Sequence, residues 1–542
     1  MILVDQVGYL PNKTKIAIST KPCNFQIIRI TDQRSVYDGV ASQKLHDSCA
    51  EEDVYQLDFS PVNQEGDYYI LAGDKERSFP FTISKNIYHA LQRDSLRCLY
   101  FQRCGMELTK EYAGKFAHRP CHTKEAILYD DFAKKIPDPT KYEVSGGWHD
   151  AGDFGRYTTA ASVTVGHLLY AYELFPECFR ESIHIPESGN GIPDILNEAY
   201  YELSWLLKMQ FKDGGVSHKL TAMRHADFIL PEDDHDQFYL FPVSSYATAD
   251  FVAVMALASR IYRPFMPQFA DKALEAAKLS TEWLKKNPFK DFKNPEGCNT
   301  GGYYDDADID ERLWAAAEML RVDTDHRDSY QLIITELSFD FVSNADFGWA
   351  DVSGMACMSI LTDPNHSVGM VEAKCKNDVL LTASKLEKLV STSGYKVPME
   401  PKDYVWGSNM VILNRAILFI LASRLRSGDA KEKYENAALE QIHYLLGRNA
   451  LNISFVTGFG ANAFKNPHLR TTANIEGDPM PGWVSGGPFR FFCDPAAKAA
   501  LKPKTAPMKC YVDDVGSYST NEITIYWNSP LVFVTAFANS RS

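Results

Sequence analysis

The chain changes its hydrophobic period once. Up to about residue 85, apolar and β-branched residues come in short runs: Lys15–Ile18, Phe25–Ile30, Val54–Phe59, Tyr68–Leu71 and Phe79–Ile83. Turn formers such as Pro11-Asn12 and Glu65-Gly66-Asp67 separate them. The pattern predicts a small β-sandwich over residues 1–85. After Ser84 the apolar positions recur at helical spacing. They predict twelve helices, at 88–104, 159–174, 194–211, 244–263, 269–286, 307–321, 328–342, 350–361, 376–391, 406–425, 429–446 and 522–540. Twelve helices with no strand pattern between them predict six hairpins closed into an α/α toroid over residues 86–542, so the fold class is mainly α. The stretch 447–521 breaks the helical period. It is rich in Gly, Pro, Asn and aromatics and too long for an idle connection, which predicts a rim that builds a site.

Composition narrows the function classes. At 542 residues the chain has room for two or more domains with a large core. Its 45% hydrophobic and 23% charged residues are those of a globular protein. A net charge of −14 argues against nucleic acid and anionic membrane surfaces as partners. No apolar run of about 18 residues appears, so no membrane span is expected. The start, Met1-Ile2-Leu3-Val4-Asp5-Gln6, has no basic n-region, which places the expected protein in the cytoplasm unless a leader has been trimmed. Eleven cysteines, an odd number, favour reduced thiols or a metal site over a disulfide framework. No Gly-x-Gly-x-x-Gly follows a strand, so no dinucleotide site is read. The residues leave the oligomeric state open.

The densest chemistry is in Ser145-Gly146-Gly147-Trp148-His149-Asp150-Ala151-Gly152-Asp153-Phe154-Gly155-Arg156-Tyr157. Two carboxylates stand three residues apart among four glycines, which suit tight backbone and close approach rather than a helix interior. An apolar run follows from Thr158, so Asp150 and Asp153 are expected on a kinked loop leading into a helix. The stretch resembles the Asp-x-x-Asp signature of glycoside hydrolase family 9, the inverting cellulase-like enzymes. Tyr511 to Pro530, containing Asn521-Glu522, resembles the family's second acidic signature. Asp5-Gln6-Val7-Gly8-Tyr9-Leu10-Pro11 resembles the start of the immunoglobulin-like module that precedes many family catalytic domains. The family's (α/α)6 fold agrees with the helix count.

The resemblance implies a set of roles. Glu522 is the expected general acid, Asp153 the general base, and Asp150 a second holder of the attacking water. Inversion asks for two carboxyls about 6.5–9.5 Å apart, one protonated and one ionised. The competing reading of Glu522 is a helix N-cap within Thr520-Asn521-Glu522. Ser517 stands where the family commonly has an Asp. Asn466-Pro467-His468-Leu469-Arg470 resembles the family's His-His-Arg region with Leu469 in place of the second His, so His468 and Arg470 are expected substrate ligands. Tyr404, Trp406, Trp349 and Tyr518 match family positions and are expected substrate contacts, because aromatic faces stack on pyranose rings. Trp483 is a weaker stacking candidate, and Trp314 is expected in the core.

Two metals are implied. Cys104, Cys121, His122 and His149 supply a tetrahedral zinc set, with His118 a nearby competitor. Their spacing is not that of a compact finger, and the family resemblance carries the assignment of a structural zinc. Asp305, Asp308, Asp310 and Glu311, with Asp351 more distant, are rich in the oxygen ligands calcium prefers and resemble a family calcium loop. The same residues also read as favourable partners of a helix N-terminus.

The expected function is an inverting O-glycosyl hydrolase acting on β-1,4-linked gluco-oligosaccharides, with cello- and chitosan-oligosaccharides as substrate partners. Exo-action, as in a cellodextrinase or exo-β-glucosaminidase, is the leading expectation. An endo-β-1,4-glucanase is the alternative, and a catalytically silent carbohydrate-binding protein the alternative of another class.

Overall fold

The computed structural model describes residues 1–73, 75–340 and 344–541. They form two compact units. The first comprises Met1–Cys98, Ala383–His468 and Glu476–Ser542; the second comprises Leu99–Thr382 and Leu469–Ile475.

Each predicted helix has a counterpart: α1 His89–Arg97, α2 Thr158–Leu174, α3 Asp194–Leu206, α4 Ser245–Ile261, α5 Pro267–Lys286, α6 Ile309–Val322, α7 Arg327–Asp340, α8 Ser353–Leu361, α9 Gly369–Thr392, α10 Ser408–Arg424, α11 Gly428–Leu445 and α12 Ile525–Asn539. Positions 341 and 342 of the predicted helix 328–342 lie outside the described residues.

The first unit begins with a β-sandwich. One sheet has the order β1 (Ile2–Leu3), β3 (Ile16–Ser19), β7 (Glu52–Asp58), β6 (Leu45–Asp47). The other has the order β2 (Gly8–Tyr9), β10 (Phe81–Ile83), β8 (Gly66–Ala72), β4 (Asn24–Arg29), β5 (Ser35–Val40), with β9 (Glu76–Arg77) also on β8. Pairing is antiparallel except between β10 and β2. The predicted runs are β3, β4, β7, β8 and β10. The strands not predicted are two or three residues long or, like β5, too exposed for an apolar alternation. Tyr9, Phe25, Ile27, Leu57, Phe59 and Phe81 fill the core between the sheets. Burying each such side chain contributes ~1.5–3 kcal/mol. In the same unit α10 packs on α11 and α12, and α12 packs on α1. α12 is buried along its whole length, as expected of a helix apolar on all sides.

In the second unit α2 packs on α3 and α4, α4 on α5 and α6, and α6 on α7 and α8. α2, α4 and α8 are buried nearly throughout. α5 instead buries one stripe (Phe269, Ala270, Ala273, Ala276, Ala277, Ser280, Trp283, Leu284) and leaves the rest to solvent. One expectation is corrected here. The helical region is not free of strands: β12 (Lys141–Tyr142), β11 (Ala126–Leu128), β15 (Tyr239–Leu240), β14 (Lys219–Thr221) and β13 (Arg156–Tyr157) form a five-stranded sheet in that order. Two- and three-residue strands carry too little periodicity to be read. Among the described residues no helix is long and apolar enough to cross a membrane.

Candidate active site

The aspartate loop of the second unit is held from several sides. Residues 102–104 run alongside 147–149: His149 N donates to the Gln102 carbonyl (2.7 Å) and Cys104 N to that of Gly147 (2.8 Å). The Trp148 indole donates to Glu198 Oε1 (2.8 Å), and Arg103, itself fully buried, pairs with Glu198 and Glu187. Gly147 has φ +75, and a Cβ there would stand 2.7 Å from the Trp205 ring, so only glycine fits. The Asp150 N–H donates to the Gly155 carbonyl (2.9 Å), which closes the loop on itself before β13. Arg156 donates to the carbonyls of Gly146 and Val144.

This backbone puts the two aspartates in opposite electrostatic settings. Asp150 is buried. Its Oδ2 accepts the Tyr303 hydroxyl, and its Oδ1 has no donor among the described residues. Burial holds its carboxyl well above the usual range; Tyr303 opposes that rise and the Asp153 charge adds to it. Asp153 is also buried, and burial alone would raise it. The neighbouring His225, the Arg470 charge and the Gly155 N–H outweigh burial and hold its carboxyl well below the usual range. His225 Nδ1 is 3.3 Å from Asp153 Oδ2, and Gly155 N donates to the same oxygen (3.0 Å). The loop therefore offers one carboxyl poised to be neutral and one poised to be ionised, the division acid–base chemistry uses.

Arg470 stands on a one-turn helix, Arg470–Ala473, of the same unit. Its Nε donates to the Ala226 carbonyl (2.8 Å) and its Nη1 to the Gly152 carbonyl (2.8 Å). It thus ties the aspartate loop to the segment carrying His225. Trp349 is half-buried and leans edge-on against Tyr303, ring centroids 4.9 Å apart. Neither His225 nor Tyr303 lies in a stretch whose sequence marks it for this site. A lone His in an irregular stretch gives no signal, and Tyr303 is overshadowed there by its acidic neighbours.

Glu522 belongs to the first unit. It follows a one-turn helix, Tyr518–Asn521, with φ −67 and ψ 157, and is half-buried. The N-cap reading is corrected: the cap of α12 is Thr524, whose side chain accepts from Trp527 N, so Glu522 lies outside that helix in extended backbone. The Glu522 carbonyl accepts from Gly486 N (2.8 Å). His468 pairs with Glu522 in a parallel β-bridge, its N–H donating to the Asn521 carbonyl (2.9 Å) and its Nδ1 to that of Val515 (2.7 Å). Ser517 is buried and donates to Asp494 Oδ2 (3.1 Å), which also accepts from Ser519 N. A buried carboxylate therefore stands beside the position where the family's Asp is missing. Tyr518 and Trp406 are 5.6 Å apart, with Trp406 exposed. Tyr404 is completely buried, so it offers no face to a sugar and the expectation of a substrate contact is corrected. Trp483 is buried too, and Trp314 is in the core with its indole donating to Tyr170.

Cys104, Cys121, His122 and His149 converge in the second unit, their ligand atoms all within 4.8 Å of one another. A tetrahedral zinc with sulfur at about 2.3 Å and nitrogen at about 2.0 Å sets sulfur–sulfur, sulfur–nitrogen and nitrogen–nitrogen edges of roughly 3.8, 3.5 and 3.3 Å. The corresponding distances are 3.9 Å between the sulfurs, 3.5 and 3.8 Å from sulfur to nitrogen, and 3.3 Å between His149 Nε2 and His122 Nδ1. His122 Nε2 is 3.2 Å from Asp234 Oδ2, the kind of outer carboxylate that orients a ligating imidazole. His118 is turned to the Arg119 carbonyl and is not part of this group.

The acidic stretch is less uniform. Asp308 pairs with Arg312 (2.9 Å). Asp310 Oδ2 accepts from Val352 N and Asp351 Oδ1 from Ser353 N, both at 2.9 Å. Asp305 is pushed up to about 7, chiefly by burial. Glu311 and Asp250 of α4 are fully buried, and among the described residues no N–H or hydroxyl donates to any of their carboxylate oxygens. Burial, then the charges of Asp310 and Asp305, raise both well above the usual range, and the Asp250 charge adds to the rise of Glu311. Orphaned buried carboxylates of this kind fit a hard cation.

The model of "Glycosyl hydrolase family 9" matches residues 88–535, and that of "Cellulase N-terminal ig-like domain" matches residues 1–77. A cellodextrinase of Butyrivibrio fibrisolvens is 40% identical over 98% of this chain and 98% of its own. Endoglucanase D of Acetivibrio thermocellus is 36% identical over 100% of this chain and 84% of its own. Among solved structures, a thermostable endoglucanase from Alicyclobacillus acidocaldarius superposes with a TM-score of 0.91 at 34% identity, covering 99% of both chains.

Proposed function

This chain belongs to glycosyl hydrolase family 9, and from that premise we propose that it removes units from the ends of short β-1,4-linked gluco-oligosaccharides with inversion. It is an O-glycosyl hydrolase acting on β-1,4-glucans, with the family's (α/α)6 barrel preceded by an immunoglobulin-like β domain. The exo-acting reading is carried by one observation: this chain and the cellodextrinase match over 98% of each other's length.

In the proposed mechanism Asp153 is the general base. Its depressed carboxyl stays ionised and takes a proton from water as that water attacks the anomeric carbon. Asp150, fixed by Tyr303 through one oxygen, presents the other to the same water. Glu522 gives its proton to the leaving oxygen. Arg470 keeps the base loop in place, and Trp349, Trp406, Tyr518 and His468 contact the sugar. Cys104, Cys121, His122 and His149 would hold a zinc ion, whose bound charge would fix the backbone next to Asp150. Asp250, Asp305, Asp310, Glu311 and Asp351 would hold a calcium ion near α4 and α6.

The test sets cello-oligosaccharides, chitosan dimer and carboxymethylcellulose side by side. The reading expects monosaccharide from oligosaccharides and little loss of polymer viscosity. Rapid viscosity loss without monosaccharide would replace it with endo-action, which the match to Endoglucanase D favours. Asp153→Asn and Glu522→Gln are each expected to lower turnover at least about a hundredfold. If neither does, the acid–base roles are wrong.

A further inference from the structure

In the first unit, a row of aromatic rings starts beside the one-turn helix that precedes Glu522. The Tyr518 ring is 5.9 Å from that of His468 and 5.6 Å from that of Trp406. Trp406 is 6.3 Å from Phe489, and Phe489 is 6.1 Å from Phe491. The two phenylalanines have no role in the mechanism above. Phe491 is 60% exposed and Trp406 42%. Tyr518 and Phe489 are half-buried, so the two exposed rings belong to one connected row rather than standing singly, and such a row marks a surface that something covers.

The row is fixed in place. The Ser408 hydroxyl donates to the Pro488 carbonyl (2.7 Å), Asn409 N to that of Gly486 (3.1 Å) and Arg490 N to that of Tyr404 (3.0 Å). These bonds join the segment carrying Trp406 to the segment carrying Phe489 and Phe491. Gly487 has φ +87, and a Cβ there would stand 2.5 Å from the Asn409 side chain, so only glycine lets the two segments lie this close. Phe489 N also donates to the Cys510 carbonyl (2.9 Å). The Arg490 guanidinium sits 4.2 Å from the centre of the Phe491 ring and backs one of its faces. The ring is thereby held in position while much of it stays open to solvent.

We infer that Phe489 and Phe491, with Arg490 behind them, are a further sugar-binding platform that continues the Tyr518–Trp406 row and takes a β-1,4-linked pyranose remote from the bond being cleaved. The inference rests on the family reading of the substrate. A phenyl ring offers no hydrogen-bonding group, so this platform recognises the apolar face of the sugar and is indifferent to its substituent at C2. Binding energy gained there favours longer chains, and Phe491 becomes a determinant of chain-length preference rather than of the chemical step.

The experiment compares the wild-type protein with Phe491→Ala and Phe491→Trp on a ladder of cello-oligosaccharides from the dimer to the hexamer. The ratio of kcat/KM for the hexamer to that for the dimer is expected to fall about 5–10-fold in Phe491→Ala and to be retained in Phe491→Trp. A ratio unchanged in Phe491→Ala, or one lost equally in Phe491→Trp, overturns the platform. Calorimetric binding of the same ladder to Asp153→Asn, with and without Phe491→Ala, separates this inference from the reading beneath it. If the wild-type protein cleaves no member of the ladder, the proposed activity fails, and the calorimetric ratio still decides the platform.

Discussion

His225 Nδ1 lies 3.3 Å from Oδ2 of Asp153, and together with Arg470 it turns a buried carboxyl, which burial alone would neutralise, into one held ionised. Replacing His225 by Asn removes the largest of the effects that lower the Asp153 pKa. The acid limb of the kcat/KM profile is expected to move to higher pH, with a loss on the order of tenfold near neutrality. Stability follows the same linkage. The folded pKa of Asp153 lies below its unfolded value of about 3.9, so its contribution is present above that value and lost as pH falls toward the folded one. The variant should therefore unfold at a higher pH than the wild-type protein in an acid titration followed by circular dichroism. An unmoved acid limb would mean that His225 does not tune the base.

Tyr303 gives a second handle. Its backbone is in the left-handed region, φ +45, and its hydroxyl donates to Asp150 Oδ2. The loop holding it is gripped from the start of β14, where His218 Nε2, just before the strand, donates to the Gly302 carbonyl (2.7 Å) and Lys219 Nζ to that of Gly301 (2.9 Å). Tyr303→Phe keeps the ring against Trp349 and deletes only the hydroxyl. Turnover is expected to fall by about 10–100-fold with Tm changed by no more than about 2 °C. A large fall in Tm with turnover retained would make Tyr303 a packing residue.

The parts legible in the sequence are those whose chemistry is local. Glycine density marked the aspartate loop because positions such as Gly147 admit no side chain, and twelve helices were readable because apolar residues recur over several turns. What stayed hidden depends on partners distant in sequence. His225 meets Asp153 because Arg470 bonds the Ala226 and Gly152 carbonyls together, and no spacing announces that. Asp250 reads as one polar residue in an apolar helix until α6 brings Glu311 beside it. Tyr404 and Trp406 are two residues apart, yet one points into the core and the other to solvent, so a motif match could not separate them.

The cysteine–histidine group predicts a definite metal content. Purified protein should carry about one zinc per chain by elemental analysis, and Cys104→Ser should carry less than half of that. Asp234→Asn leaves every ligand atom in place and removes only the carboxylate beside His122 Nε2, so zinc affinity should fall about 10–100-fold in competition with a chromophoric chelator. Equal zinc in the wild-type protein and Cys104→Ser would remove this ligand set.

Glu311 and Asp250 carry the last prediction. Among the described residues no N–H or hydroxyl donates to either carboxylate, both are fully buried, and Asp305 and Asp310 add like charge. Several kcal/mol are lost for each ionised carboxylate buried without a counter-charge. A bound cation offsets this cost, and one at a hundred times its dissociation constant stabilises the fold by about 2.7 kcal/mol. Tm should therefore rise by several degrees when millimolar calcium is added to chelator-treated protein, and Glu311→Gln should abolish most of that rise. Magnesium should do less, because a multidentate carboxylate cage suits the larger ion. If calcium leaves Tm unmoved in the wild-type protein, the group holds no calcium and the two acids are buried in their neutral form.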